Sequence, residues 1–209
     1  MPKVGMETLR RRQLIEATID TIHEVGFASA SLQSIARRAG VSPGLVAHYF
    51  RDKEGLLEAT LRQLAGDLGR GAAQRLAAAA SPYERLLAVV DANLEAAQFD
   101  RRIATVWLAF WGQVLHSPRL RRVQMVYERR LVSNLRHAFR QLVPGAEAAR
   151  LAEATAALID GLWLRATLSV EPPDPDEARA TLRRFLNDNL PADAVERRTP
   201  ARERRRNSG

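Results

Sequence analysis

Three aromatic side chains, Trp107, Phe110 and Trp111, stand at positions i, i+3 and i+4, so on a helix they share one face. Trp163 lies farther along with Asp160 one helical turn before it, and Tyr127 falls between the two groups. A cage of aromatic faces is a receptor for a quaternary ammonium ion, because ring quadrupoles attract a cation that has no proton to donate. A carboxylate, Asp160, Glu95 or Asp91, would offset the charge that the rings leave. The alternative is that these rings are ordinary core, since aromatic side chains dominate core energetics.

A second constellation lies between Ser31 and Phe50. Ala36, Gly40 and Val46 have the small, glycine and aliphatic spacing that two steeply crossing helices require. Gly40 supplies a turn residue that tolerates positive φ, and Ile35 and Leu45 add core contacts. With Val46, Tyr49 and Phe50 directed at least partly inward, Pro43, Gly44, Ala47 and His48 remain to face a DNA groove. Ser31, Ser42 and Lys53 stand at helix starts, where N–H groups and the helix dipole attract phosphate, and Arg37 and Arg38 add backbone contacts. Spacing alone leaves a plain helical hairpin open as the other reading. His23, His116 and His137 are scattered and the chain has no cysteine, so neither a metal site nor a thiol nucleophile is expected. No phosphate loop, nucleophile elbow or paired-carboxylate motif is present, and no enzyme activity or cofactor is expected.

The elements that must position these residues are helices. Alanine, leucine, arginine and glutamate dominate and alternating β-branched runs are scarce, which predicts an all-α fold of about nine helices. The first spans Glu7 to Val25, with Leu14, Ala17, Thr18, Ile22 and Val25 inward and Gly26 ending it. Ser31 starts a second to Ala39, and Ser42 with Pro43 a third. Asp52 starts a fourth to about Leu76, weakened and open to bending at Gly66, Gly69 and Gly71. Ser81-Pro82-Tyr83-Glu84 starts a fifth to about Gln98, Asp100 a sixth through Leu115, and Ser117-Pro118 a seventh to about Leu142. After Pro144-Gly145 an eighth runs from Ala146 to Ser169. Asp174-Pro175-Asp176-Glu177 opens a ninth, ending near Asn189. The expected organisation is a helix-turn-helix head over 1–52, a helical ligand-binding and dimerisation body over 53–190, and a basic, disordered tail over 191–209.

The chain of 209 residues is 46% hydrophobic, enough for a sizeable core, and its net charge of +8 favours a polyanionic partner. No apolar run reaches membrane-spanning length and the first residues do not read as a secretory signal, so a cytoplasmic protein without a membrane partner is expected.

The run Ile35-Ala36-Arg37-Arg38-Ala39-Gly40-Val41-Ser42-Pro43-Gly44, followed by Tyr49-Phe50 and Lys53-Glu54-Gly55-Leu56-Leu57, resembles the N-terminal domain of the TetR family of repressors. The family commonly carries an aromatic residue on phosphate where this chain has Ala47, and Tyr49 or His48 would take that contact. Met1 to Met6, Arg11 to Ile15, His48-Tyr49-Phe50, Trp107 to Trp111 and Leu158 to Arg165 are further similar to its choline-responsive members that control betaine synthesis. The resemblance implies a homodimer joined through the last two helices, with Leu151, Ala154, Ala157, Leu158, Leu162, Leu182, Phe185 and Leu186 as seam. Two heads would then read a roughly palindromic stretch of double-stranded operator DNA. It also implies release from DNA by choline or a similar cation. Response to other lipophilic cations, and an all-α scaffold or enzyme without DNA binding, are the competing expectations.

Overall fold

A computed structural model describes residues 6–192. Among them are nine α-helices, one 3-10 turn and no strand. They are α1 (Met6–Ser29), α2 (Leu32–Ala39), α3 (Pro43–Phe50), α4 (Lys53–Ala78), α5 (Pro82–Asn93), α6 (Arg101–Val114), α7 (Pro118–Phe139), α8 (Gly145–Leu168) and α9 (Pro175–Asn189), with the 3-10 turn at Ala96–Phe99. The starts follow the capping residues read from the sequence: Ser31, Ser42, Ser81, Asp100 and Asp174 each accept a backbone N–H in the first turn. The tail from residue 193 and the first five residues lie outside the described chain, and with them the expectation of a disordered tail.

Packing divides the described chain into two units. One holds the residues up to Asp67 together with Asp100–Val126; the other holds Leu68–Phe99 with the chain from Tyr127 onward. This grouping differs from a cut at residue 52, because α6 packs on α1.

In the first unit, Leu14, Ile15, Ile19 and Ile22 of α1 bury against Ile35 and Ala36 of α2, Val46 and Phe50 of α3, and Leu56, Leu57 and Leu61 of α4. Thr18 and Thr21 are buried too, each donating its hydroxyl to the carbonyl four residues back at 2.7 Å, which satisfies the polar group inside the core. Gly26 interrupts α1 at φ 74 and ψ 161, a conformation that glycine alone takes without strain, and one more turn follows to Ser29. Val25, expected inward, is 49% exposed. Arg102 of α6 donates to Asp20 of α1 at 2.7 Å and tethers the two helices.

In the second unit, Leu86, Val89 and Val90 of α5, Leu135 and Phe139 of α7, Leu151, Ala152 and Ile159 of α8, and Leu182 and Leu186 of α9 form the core. The fifth helix is shorter than expected. It stops at Asn93, and carbonyls of the cap and turn that follow accept side-chain donors: Arg179 donates to Leu94 O at 2.6 Å and the Trp163 indole to Gln98 O at 2.8 Å. These contacts offer the turn an alternative to further helical hydrogen bonds. α4, by contrast, runs unbroken through Gly66, Gly69 and Gly71.

Candidate nucleic-acid interface and cation site

The head is built around the turn at Gly40, which sits at φ 66 and ψ 36. Its N–H donates to Arg37 O at 3.2 Å and the N–H of Val41 to Ala36 O at 3.0 Å, the paired bonds that close a helix through a left-handed residue. Ala36 and Val46 are both fully buried, as the crossing demands. Ser31 accepts from Ser34 N at 3.1 Å and Ser42 from Leu45 N at 3.2 Å, so both serines hold helix starts while staying exposed. Pro43, Gly44 and His48 are exposed, and Ala47 and Tyr49 half-buried. The His48 and Tyr49 rings meet edge to face at 5.6 Å. Arg37 is exposed and has no ion pair among the described residues, while Arg38 pairs with Glu24 of α1. α3 thus offers a ridge of Pro43, Gly44, Ala47 and His48 of the size that enters a major groove.

Lys53 departs from a simple phosphate hook. Its ammonium donates to Ala28 O at 3.1 Å and lies 4.2 Å over the Phe27 ring, and burial there lowers its pKa from the ordinary lysine value. The turn that follows Gly26 supplies both partners.

The junction of α3 with α4 contains residues that the sequence reading passed over. Arg51 adopts φ 64 and ψ −59, with Asp52 N donating to Phe50 O at 2.8 Å, a γ-turn that is strained for a residue with a side chain. Gly55 packs so closely under this turn that a Cβ would stand 2.2 Å from Phe50 O. Asp52 accepts Gly55 N at 2.6 Å and pairs with Arg119 of α7 at 3.6 Å. Arg119 also holds the buried Glu58 at 2.7 and 2.9 Å, and its pKa rises through the Glu58 hydrogen bond. Ser117 caps α7 through Leu120 N at 3.1 Å and donates to Glu54 of α4. Each helix start is therefore capped by a residue that also bonds a side chain of the other helix. Ser117 was legible as a cap; its cross-helix partner was not.

The aromatic residues fall in both units. In the first, Trp107 is buried and meets the fully enclosed Phe110 edge to face at 5.8 Å, the arrangement of packed core, and Trp111 is half-buried. In the second, Trp163 is buried with its indole N–H on Gln98 O, and Tyr127 packs on Leu68, Ala72 and Ala92. Tyr127 donates to Asn93 Oδ1 at 3.1 Å, while Asn93 Nδ2 donates to Val89 O at 2.8 Å. Burial, with the Asp160 charge added, raises the Tyr127 hydroxyl above its ordinary pKa.

The three candidate carboxylates separate clearly in this unit. Asp91 takes Arg183 at 2.9 and 3.1 Å, and Glu95 takes Arg75 at 2.5 Å. Asp160 has no cationic partner among the described residues; burial first, and the neighbouring Glu128 second, push its carboxyl up to about 6. A half-buried acid beside another acid and a phenol, with no counter-ion of its own, can take up a cation from outside the chain. Asn93 was not anticipated, although it continues the buried face of Leu86, Val89 and Val90, where a lone amide signals a polar requirement. No group of histidines, cysteines and acids suited to a metal occurs among the described residues. No helix there is long and apolar enough to cross a membrane.

Family models match both parts of the chain. Residues 14–60 match the model of bacterial regulatory proteins of the tetR family, and residues 82–191 that of the BetI-type transcriptional repressor C-terminal domain. The HTH-type transcriptional regulator BetI of Escherichia coli is 48% identical over 195 residues, covering 92% of this chain and 100% of its own. The regulator BetI 1 of Chromohalobacter salexigens is 46% identical over 191 residues, covering 91% and 95%. A putative transcriptional regulator from Pseudomonas aeruginosa superposes with a TM-score of 0.78 at 28% identity, over 89% of this chain and 92% of its own. Another from Saccharomonospora viridis, solved in complex with choline, has a TM-score of 0.74 at 23% identity, over 88% and 98%; at that identity it speaks for the fold.

Proposed function

The chain belongs to the TetR family of DNA-binding repressors, with a BetI-type C-terminal domain, and from that premise we propose that it represses genes for converting choline to glycine betaine and is released from DNA by choline. Members of this family act on operator DNA as dimers and are regulators rather than enzymes. In this reading residues 1–52 are the DNA-binding head, 53–190 carry effector and partner, and the protein acts in the cytoplasm. Pro43, Gly44, Ala47 and His48 approach bases; Ser31, Arg37, Ser42, Tyr49 and Lys53 hold phosphates.

The uncompensated Asp160 carboxylate carries the effector half of the proposal. Asp160, Tyr127 and Trp163 form the receptor for the trimethylammonium group, rings and carboxylate together replacing the water it loses. The regulator from Saccharomonospora viridis, which binds choline, supports the ligand class. Trp107, Phe110 and Trp111 join the proposal through the expectation of an aromatic cage. Trp111→Ala tests it: weakened choline binding supports membership, and unchanged binding assigns the triplet to packing.

Choline can lower operator affinity only by binding more tightly to the conformation that does not fit DNA. Within the first unit, the Asp52–Arg119 pair and the Asp20–Arg102 tether fix α7 and α6 to the head at two points. The deciding experiment titrates the protein against its own upstream promoter DNA with and without choline. The expected result is a saturable choline-dependent loss of occupancy; an unchanged isotherm overturns the effector assignment. Larger lipophilic cations that release the DNA where choline does not would replace it.

A further inference from the structure

The proposed cation site leaves one buried polar side chain unused. Asn93 is 8% exposed, and its amide has two N–H donors and an oxygen with two lone pairs. Val89 O takes one N–H at 2.8 Å and the Tyr127 hydroxyl fills one lone pair at 3.1 Å. One N–H and one lone pair remain, on a side chain whose orientation is fixed from both ends. Tyr127, which does the fixing, is the same residue whose hydroxyl feels the Asp160 charge and whose ring packs on Leu68, Ala72 and Ala92, so amide, phenol and carboxylate form one polar cluster beside an apolar patch. A carboxylate suits the ammonium end of a small cation. An amide with a spare donor and a spare acceptor suits a hydroxyl, which both accepts and donates.

Resting on the proposed cation site, we infer that Asn93, held by Tyr127, reads the hydroxyl of the effector and makes the site selective for quaternary ammonium alcohols over alkylammonium ions of the same bulk. A ligand bearing a methyl group in place of the hydroxyl seals the spare amide groups of Asn93 away from water with nothing to bond. That lost hydrogen bond corresponds to about a tenfold weaker affinity for a single neutral pair. The attraction of Asp160 for the ammonium does not make this distinction, because both ligands carry the same charge.

The test compares choline with trimethyl-n-propylammonium, which replaces the hydroxyl by a methyl group, by calorimetry on the full-length protein at pH 7.5. Wild type is expected to favour choline by about tenfold. Asn93→Ala should bring the two affinities within about twofold, mainly by weakening choline. Tyr127→Phe keeps the ring and removes the hydroxyl that orients Asn93, and should lower the preference to an intermediate value. It also keeps the test open if Asn93→Ala folds poorly. A merely structural role for Asn93 would weaken both ligands in proportion and leave their ratio unchanged, and that result overturns the inference. Equal wild-type affinities would overturn it too, while leaving the cation site standing. Binding of neither cation would remove the cation site and this inference with it.

Discussion

In the proposed site, Asp160 would make the effector response depend on pH. Its carboxyl titrates near 6 in the folded protein against 3.8 for an ordinary aspartate. A cation is held by the charged form, so choline affinity should be full above about pH 7 and fall as pH drops through 6. The folding sign is opposite. The native state holds this proton more tightly than the unfolded chain, so the carboxyl's contribution to stability falls as pH rises from 3.8 to about 6. Asp160→Asn should therefore bind choline weakly at every pH while losing this part of the pH dependence of melting. Calorimetry and thermal melts at pH 5 and 7.5 check both halves. Two glycines make sharper demands of sterics. Gly40→Ala places a Cβ at φ 66 in open space, for about 1 kcal/mol of backbone strain. Gly55→Ala drives a Cβ to 2.2 Å from a backbone oxygen, and should cost about 1–3 kcal/mol with a disproportionate loss of operator affinity. Melting temperature together with operator titration separates the two.

At the scale of elements, Arg119 joins α7 to α4 through Glu58 and Asp52. Glu58 keeps Arg62 when Arg119 is lost, and Arg119 is itself over a third exposed. Arg119→Ala should thus lower stability only by about 1 kcal/mol while weakening the choline effect on operator occupancy; Arg119→Lys should restore part of it. Promoter titration with and without choline reads the result. The helix starts were legible because Ser31, Ser42, Ser81, Asp100 and Asp174 satisfy N–H groups locally, within three residues of sequence. The early end of α5 was not, because the donors that favour it, Arg179 and Trp163, come from distant helices. The same distinction applies to function. Ala36, Gly40 and Val46 pointed to the head by spacing, and the family resemblance of the surrounding run decided against a plain helical hairpin. The choice of Asp160 over Asp91 and Glu95 needed Arg183 and Arg75 to be placed in space.

For the molecule as a whole, the expected dimer seam is narrower than its apolar residues suggest. Leu151, Leu182 and Leu186 are buried within the chain's own core, whereas Ala157 is exposed and Ala154, Leu158, Leu162 and Phe185 are half-buried. These remaining positions suit close helix-to-helix association in a homodimer. Ala157→Glu should leave the monomer folded and shift it from dimer to monomer in sedimentation, with operator affinity falling because one head reads only a half-site. Leu151→Ala should instead cost about 2–5 kcal/mol of folding stability through the cavity it leaves.

The linked caps of α4 and α7 also bear on how the protein breathes. Asp52 serves both the Gly55 amide and Arg119, and Ser117 serves both the Leu120 amide and Glu54. Neither helix can fray at its start without releasing atoms that the other uses. In deuterium exchange, the Gly55 and Leu120 amides should open together at one common rate, although 65 residues separate them in sequence. In Arg119→Ala the two rates should part.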